Sequence, residues 1–108
     1  SHQAVLHPLA ESAAELHAAH TLAVNTARRL DQGQPLRKEL AMMKYIATNA
    51  GCRAADRAIQ THGAMGFTNE LGLTDAYTTL RRIRVADGTD EILLRTIGQA
   101  LVKGDRAI

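Results

Sequence analysis

Apolar positions in the first third of the chain repeat with the period of an amphipathic helix. Intervals of three and four residues place them on one helical face. The members of this stripe are Leu6, Leu9, Ala13, Leu16, Ala23, Ala27 and Leu30, and His20 is the polar residue that interrupts it. Because proline is tolerated mainly in the first turn of a helix, the helix is expected to start at His7 or Pro8 and to end at residues 31–33.

A second stripe of the same period follows Pro35. Its members are Leu36, Leu40, Met43, Ala47, Ala50, Ala54 and Ala58. The stripe predicts a helix of roughly 25 residues that reaches about Thr61, with small residues that let a neighbouring backbone approach closely. The stretch HGAMGF, residues 62–67, is expected to end this helix, because its two glycines are free to adopt positive φ angles.

The last third of the chain predicts two shorter helices. After a polar turn at residues 68–70, Thr74 is the expected N-cap of a helix that reaches about Arg84. The final helix is expected from residue 90 to about 103, with Gly104 as its stop. Its expected buried side carries Ile92, Leu93, Ile97, Ala100 and Leu101. The predicted fold class is therefore all-α: a single domain built as an up-down bundle of about four helices, two long and two shorter.

Composition supports a helical chain and argues against several classes of function. The 108 residues are 45% hydrophobic but only 3% aromatic, and the net charge is +2 without concentrated basic blocks. That pattern is not typical of a nucleic-acid-binding protein. No apolar stretch approaches the ~20 residues of a membrane span, and the start has no signal-peptide pattern. The single cysteine, Cys52, is expected to be a buried structural thiol in a reducing compartment.

Two clusters of polar residues are candidate sites. His17 and His20 lie three apart, but no histidine has a glutamate three residues before it, as a di-metal bundle requires, so no metal site is predicted. His20 is expected at the edge of the core. The cluster of Arg81, Arg82 and Arg84 lacks aromatic residues that could stack on bases. It is therefore interpreted as a solvated or subunit-contacting face.

Two further stretches suggest chemistry only in combination. QTHGAMG, residues 60–66, places glycines directly after a helix, where the backbone is open to close approach. DGTDEILLRTIGQALVKG, residues 87–104, begins with a carboxylate, a glycine and a threonine. Helix capping explains Gly88, Thr89 and the two acids that follow. Helix capping does not explain why an acidic residue, Asp87, precedes them.

Together, QTHGAMGFTNELGL and VADGTDEILLRTIGQAL, about twenty residues further on, resemble the C-terminal helical domain of the acyl-CoA dehydrogenase flavoenzymes. In that family a Q-x-x-G-G-x-G-[YF] stretch precedes a short helix, and [YA]-[ED]-G-[TP]-x-[EQ] opens the last helix. The resemblance extends over essentially the whole chain, including HQAV at its start. It implies a C-terminal domain without its first helix, and an intact enzyme that also has an N-terminal helical domain and a middle β domain.

The resemblance implies α,β-dehydrogenation of an acyl-CoA thioester by an FAD enzyme. A carboxylate removes the α proton, and this role falls on Asp87, within the subset of the family that reads A-D-G. In other members the base comes from a helix outside this segment. Gly88 is implied to lie against the thioester end of the substrate. The implied cofactor contacts are Gln3, Thr89, Asp90 and Glu91, together with Gln60, Thr61, His62, Gly63 and Ala64, which would reach the FAD of a neighbouring subunit.

The resemblance also implies partners and a location. The partners are the acyl-CoA substrate, further copies in a homodimer or homotetramer, and an electron-transfer flavoprotein; nucleic acid is not among them. The location is the cytoplasm of a bacterium, or the mitochondrial matrix or peroxisome of a eukaryote. The isolated chain is expected to be inactive and to retain no FAD, since the flavin site needs other segments. The alternative is a non-catalytic helical module for oligomerisation or binding.

Overall fold

The computed structural model describes residues 2–107 and contains four α-helices in this range. They are α1 (His2–Asp31), α2 (Arg37–His62), α3 (Leu73–Ile83) and α4 (Asp90–Val102). A 3-10 turn, Gly63–Phe67, joins α2 to α3. No strand occurs within the described range. The predicted all-α bundle of two long and two shorter helices is confirmed.

Helix α2 is the element on which all the others pack. The helices α1, α3 and α4 each contact α2, and no backbone contacts join these three to one another across residues 2–107. Small side chains make this possible: a Cβ added to Gly51 would lie 3.0 Å from Cδ2 of Leu80 on α3. The resulting core is thin, and its buried apolar members are Ala19, Leu36, Ala41, Ala50 and Cys52. The prediction that Cys52 is buried is confirmed.

Helix α1 begins earlier than the pattern of the sequence predicted. It starts at His2, so the expected start at His7 or Pro8 is wrong, and Pro8 lies inside the helix. The effect of this proline is local: its ring removes the N–H that would have donated to the carbonyl of Ala4, and it crowds that same carbonyl. Ala4 is exposed, so water can solvate that carbonyl while the alanine- and leucine-rich run continues the helix. The predicted end of α1 is confirmed at Asp31.

Helix α3 begins after a glycine and not after the expected threonine. Gly72 is the N-cap, with a left-handed φ of 68°, and its carbonyl accepts from the N–H of Ala76 at 3.0 Å. Thr74 therefore lies inside the first turn, and its expected capping role is wrong. The reversal after the 3-10 turn needs a positive φ, which glycine adopts without steric cost.

Helix α4 starts at Asp90 as predicted, and Thr89 caps it. The hydroxyl of Thr89 accepts from the N–H of Ile92 at 3.3 Å. The expected buried side of α4 is only partly right, because Ile92 and Leu101 are exposed whereas the other three members are half-buried. Since α2 is the only helix among residues 2–107 whose backbone contacts that of α4, only a narrow strip of the surface of α4 is covered.

A cluster of ion pairs joins α1 to α2. Glu15 on α1 accepts from Nε of Arg53 at 2.8 Å and from Nη1 of Arg57 at 2.7 Å. Nη2 of Arg57 also lies 3.2 Å from the Glu11 carboxylate. The hydrogen bond from Arg57, with further help from the charges of Arg53 and Arg57, holds the pKa of Glu15 below its ordinary value, although partial burial opposes this shift.

A second polar contact ties the end of the chain to the start of α2. Lys38 is 1% exposed, and its Nζ donates to Asp105 O at 3.0 Å, Asp105 Oδ1 at 3.1 Å and Ala107 O at 2.6 Å. A buried ammonium is stable only when its donors are satisfied. The segment after α4 is therefore held against α2 by this one side chain.

A substitution at Gly66 tests how closely the 3-10 turn approaches α2. A Cβ at Gly66 would lie 2.5 Å from the carbonyl oxygen of Ile59 and 2.9 Å from its Cα. Gly66→Ala should therefore lower the free energy of unfolding by about 1–3 kcal/mol, because backbone atoms would have to move. The matched control is Gly98→Ala in α4, where nothing lies within 4 Å of the added Cβ. That change should raise the free energy of unfolding by about 0.5–1 kcal/mol.

Urea denaturation followed by far-UV circular dichroism measures both changes. A Gly66→Ala variant as stable as the wild type would contradict the close approach of the turn to α2.

The Glu15 cluster predicts a pH-dependent stability. Because the pKa of Glu15 is lowered in the folded chain, its contribution is complete above the unfolded pKa of about 4.3 and is lost as the pH falls through the folded value. Glu15→Gln should therefore lower the melting temperature near neutral pH, and the difference from wild type should vanish in acid. Glu70→Gln, at an exposed carboxylate outside the cluster, is the control. A difference that stays constant with pH would show that ionisation of Glu15 is not involved.

Candidate functional site

The turn between α3 and α4 holds Asp87 in an uncommon conformation. Its φ is 53°, and among the described residues it is the only non-glycine residue with a positive φ; Gly88 follows at 110°. Aspartate is one of the few residues that tolerate the left-handed region, at a cost of about 1–2 kcal/mol. The Asp87 side chain is exposed. The turn thus presents a carboxylate on a backbone that must be held by other groups.

Lys44 on α2 supplies that hold. Its Nζ donates to three successive carbonyl oxygens, those of Ala86 at 2.6 Å, Asp87 at 3.1 Å and Gly88 at 3.0 Å. The sequence analysis did not identify Lys44. A signal was present, since Lys44 lies four residues after Leu40 and three before Ala47, in register with the apolar stripe of α2. A lysine on a packed face needs polar partners, and here the partners are backbone carbonyls.

The start of α4 is held by a second polar contact. Oδ2 of Asp90 accepts from Nε of Arg84 at 3.0 Å and from Nδ2 of Asn49 at 3.3 Å, and it lies 2.9 Å from Nη2 of Arg84. The hydrogen bond to the Asp90 carboxylate raises the pKa of Arg84, although partial burial opposes this shift. The other carboxylate oxygen of Asp90, Oδ1, is buried and has no hydrogen-bond partner among residues 2–107.

These contacts change the interpretation of the basic cluster. Arg81 and Arg82 are exposed, as expected of a solvated face. Arg84 is half-buried and paired with Asp90, so its assignment to a solvated face is wrong, and its alternative assignment to a subunit contact stays a prediction. The reason is its position after the end of α3, where its side chain turns back toward the start of α4.

The expected cofactor contacts at the end of α2 form a separate group. Gln60, Thr61, His62, Gly63 and Ala64 are all exposed around the C-terminus of α2. Gly63 ends the helix with a φ of 63°.

Gln3 lies at the same end of the bundle, because α1 and α2 run antiparallel. A shallow groove of about 380 Å³ connects the two helix ends, and its lining includes Val5, Gln60 and Thr61.

The two groups of expected site residues lie far apart. Lys44, which contacts the Asp87 turn, and Gln60 are separated by sixteen residues of α2, which corresponds to about 24 Å along the helix axis. The structure therefore brings Gln3 together with residues 60–64, and places residues 87–91 elsewhere on the bundle.

Other candidate features give no site. Within residues 2–107, no three His, Cys, Asp or Glu side chains are grouped so that they could hold a metal ion. His17 is exposed, and His20, which was expected at the edge of the core, is exposed as well. None of the helices in this range is long and apolar enough to cross a membrane.

The fold and this turn define the chain as an all-α bundle that presents a carboxylate between its last two helices. Residues 1–102 match the family described as "Acyl-CoA dehydrogenase, C-terminal domain". The chain belongs to this family, and the resemblance seen in its two motifs is confirmed.

Relatives of the chain carry related names and are much longer. Acyl-CoA dehydrogenase family member 11 of Rattus norvegicus is 37% identical over 91% of this chain, which spans 13% of that protein. The (R)-benzylsuccinyl-CoA dehydrogenase of Thauera aromatica is also 37% identical, over 96% of this chain and 26% of its own length. A crystal structure from Mycobacterium smegmatis, assigned to the acyl-CoA dehydrogenases, superposes with a TM-score of 0.86 at 29% identity, over 97% of this chain and 27% of its own.

Proposed function

We propose that the chain is the C-terminal part of an FAD-dependent acyl-CoA dehydrogenase in which Asp87 is the base. In such an enzyme the carboxylate takes the α proton of an acyl-CoA thioester, and FAD accepts the hydride from the β carbon. The observation that carries the proposal is Asp87 itself, a carboxylate in a left-handed turn that the bundle holds in place at a conformational cost. Uncommon backbone conformations of this kind occur preferentially at functional sites.

The short side chain of Asp87 makes the backbone of the turn important. A base must come within hydrogen-bond reach of the proton it takes, and misplacement by ~1 Å can cost on the order of a hundredfold in rate. Aspartate is one methylene shorter than glutamate, so the turn has to supply the reach. Substrate and neighbouring segments of the intact enzyme would cover the exposed carboxylate and exclude water from it.

Gly88 suits close contact with the thioester end of the substrate. Its φ of 110° is open to glycine but strained for other residues, whereas an added Cβ would make only ordinary contacts, at 3.8 Å from Leu93 and 4.0 Å from Nζ of Lys44. With no side chain at residue 88, the substrate can lie directly on the backbone beside Asp87.

The start of α4 fits the hydroxyl-bearing part of a flavin cofactor. Thr89 uses its oxygen as an acceptor in the helix cap, which leaves its O–H free to donate. Asp90 and Glu91 would repel a phosphate despite the favourable helix N-terminus. We infer that residues 89–91 contact ribityl or ribose hydroxyls.

The group at the end of α2 is proposed to contact the cofactor of a neighbouring copy. Its distance of about 24 Å along α2 from the Asp87 turn supports a second cofactor and not the one beside Asp87. This assignment covers Gln3, Gln60, Thr61, His62, Gly63 and Ala64. Ala64 stands where many members have glycine, which limits close approach there. This assignment requires more than one copy, in a homodimer or homotetramer. An electron-transfer flavoprotein is proposed separately as the electron acceptor.

A non-catalytic role in assembly is the second candidate. It is favoured by the apolar side chains that α1 leaves exposed, among them Leu6, Leu9 and Leu16 at 56%, 63% and 43%. Under this alternative, Asp87 has no chemical task.

Replacing Asp87 separates the two candidates. In the intact enzyme, Asp87→Asn should lower the rate of flavin reduction by acyl-CoA by about 10²–10⁴-fold, because the amide cannot take the proton. Asparagine also tolerates the left-handed region, so flavin content and melting temperature should stay unchanged. Asp75→Asn, at an exposed acid on α3, is the control. Flavin reduction at the wild-type rate in Asp87→Asn would leave Asp87 no catalytic role.

The chain of residues 1–108 alone should not retain FAD. The proposed contacts lie at two distant places, and the site of the flavin ring is proposed to need other segments of the intact enzyme, so purified chain should show no flavin absorbance. A yellow preparation with one FAD per chain would contradict this expectation.

A further inference from the structure

We propose that Lys44 is a positioning residue that sets the geometry of the Asp87 turn. The proposal deepens the proposed function and rests on it, since a positioning role matters for catalysis only if Asp87 is the base. It is carried by a contact that neither helix capping nor the family motifs explain. One ammonium group donates to the carbonyls of three successive residues, Ala86, Asp87 and Gly88, at 2.6, 3.1 and 3.0 Å.

The chemistry of lysine fits this arrangement. An ammonium group has three donors and no acceptor, so three carbonyl oxygens satisfy it completely. Hydrogen bonds from a charged donor are also stronger than those between neutral groups. The convergence of three carbonyls on one atom goes together with the positive φ angles of Asp87 and Gly88, at 53° and 110°. Lys44 thus offsets the conformational cost of the turn.

Lys44 acts on the backbone and not on the carboxylate. No ion pair within residues 2–107 joins Nζ of Lys44 to the side chain of Asp87. The carboxylate therefore stays unpaired by Lys44 while its backbone is fixed. This arrangement gives the turn rigidity without neutralising the base through a direct salt bridge.

The position of Lys44 on α2 makes the hold effective. Because α1, α3 and α4 all pack on α2, Lys44 attaches the turn to the helix that contacts every other helix of the bundle. Asn49, five residues further along α2, donates to Asp90 at 3.3 Å on the other side of the turn. Residues 86–90 are thus held from one helix at both ends, by Lys44 at residues 86–88 and by Asn49 at Asp90.

Hydrogen exchange of the turn tests the positioning role without using activity. In the intact FAD-loaded enzyme, Lys44→Met keeps the length of the side chain but removes all three donors. Exchange of peptides that cover residues 84–92 should become at least about tenfold faster, since opening of the turn is no longer opposed. Lys103→Met, at an exposed lysine after α4, and Asp87→Asn should both exchange like the wild type. Unchanged exchange in Lys44→Met overturns the proposal.

Kinetics in the same enzyme test the consequence for catalysis. Lys44→Met should lower kcat by about a hundredfold, with KM and flavin content close to wild type, because substrate and cofactor still bind while the base is displaced. Lys44→Arg keeps the charge and should recover part of kcat. In the double variant with Asp87→Asn, loss of Lys44 should cause no further decrease, because the group that it positions is already gone.

These outcomes separate failure of the proposal from failure of the proposed function. Full activity in Asp87→Asn removes Asp87 as the base, yet the exchange measurement still decides whether Lys44 holds the turn. If Asp87→Asn is slowed as expected, a loss of kcat in Lys44→Met that multiplies with the Asp87→Asn loss overturns the positioning role. A loss of flavin from Lys44→Met overturns it as well, since that indicates a general structural role.

Discussion

The structure depends on one helix that offers a surface of small residues and a few long polar side chains. Gly51 and Ala50 let neighbouring elements approach α2, whose packing joins helices that do not contact one another within the described range. Such a core buries little bulky side chain, so packing alone specifies the arrangement weakly. The polar side chains of α2 supply the missing specificity.

Each of these polar side chains links α2 to a different part of the chain. Lys38 holds the segment after α4, Lys44 holds the Asp87 turn, and Asn49 holds the start of α4. Arg53 and Arg57 bind Glu15 on α1. Partly buried charged groups are costly unless their hydrogen bonds are satisfied, so each link favours one arrangement over its alternatives. The polar side chains of α2 that order the bundle therefore also shape the candidate site.

Periodicity in the sequence was enough to predict the helices, because helical faces repeat every three to four residues. It predicted the bounds of α2 closely, and the capping preference of threonine predicted the cap at Thr89. The start of α1 was misplaced because the helix continues through Pro8, a residue type expected only in a first turn. The buried side of α4 was partly wrong since burial depends on how many neighbours a helix has. Asp87 was located through the resemblance of two motifs. Lys44 was missed because its role depends on residues more than forty positions away.

We propose that this bundle presents Asp87 as a proton acceptor from a turn held by α2. The most direct measurement is exchange of α protons with solvent in the intact FAD-loaded enzyme, using 3-thia-acyl-CoA thioesters that have α protons but no β hydride to transfer. Mass spectrometry in D₂O should show deuterium entering the α position with the wild-type enzyme and not with Asp87→Asn. Deuterium entering at the wild-type rate with Asp87→Asn would contradict the account.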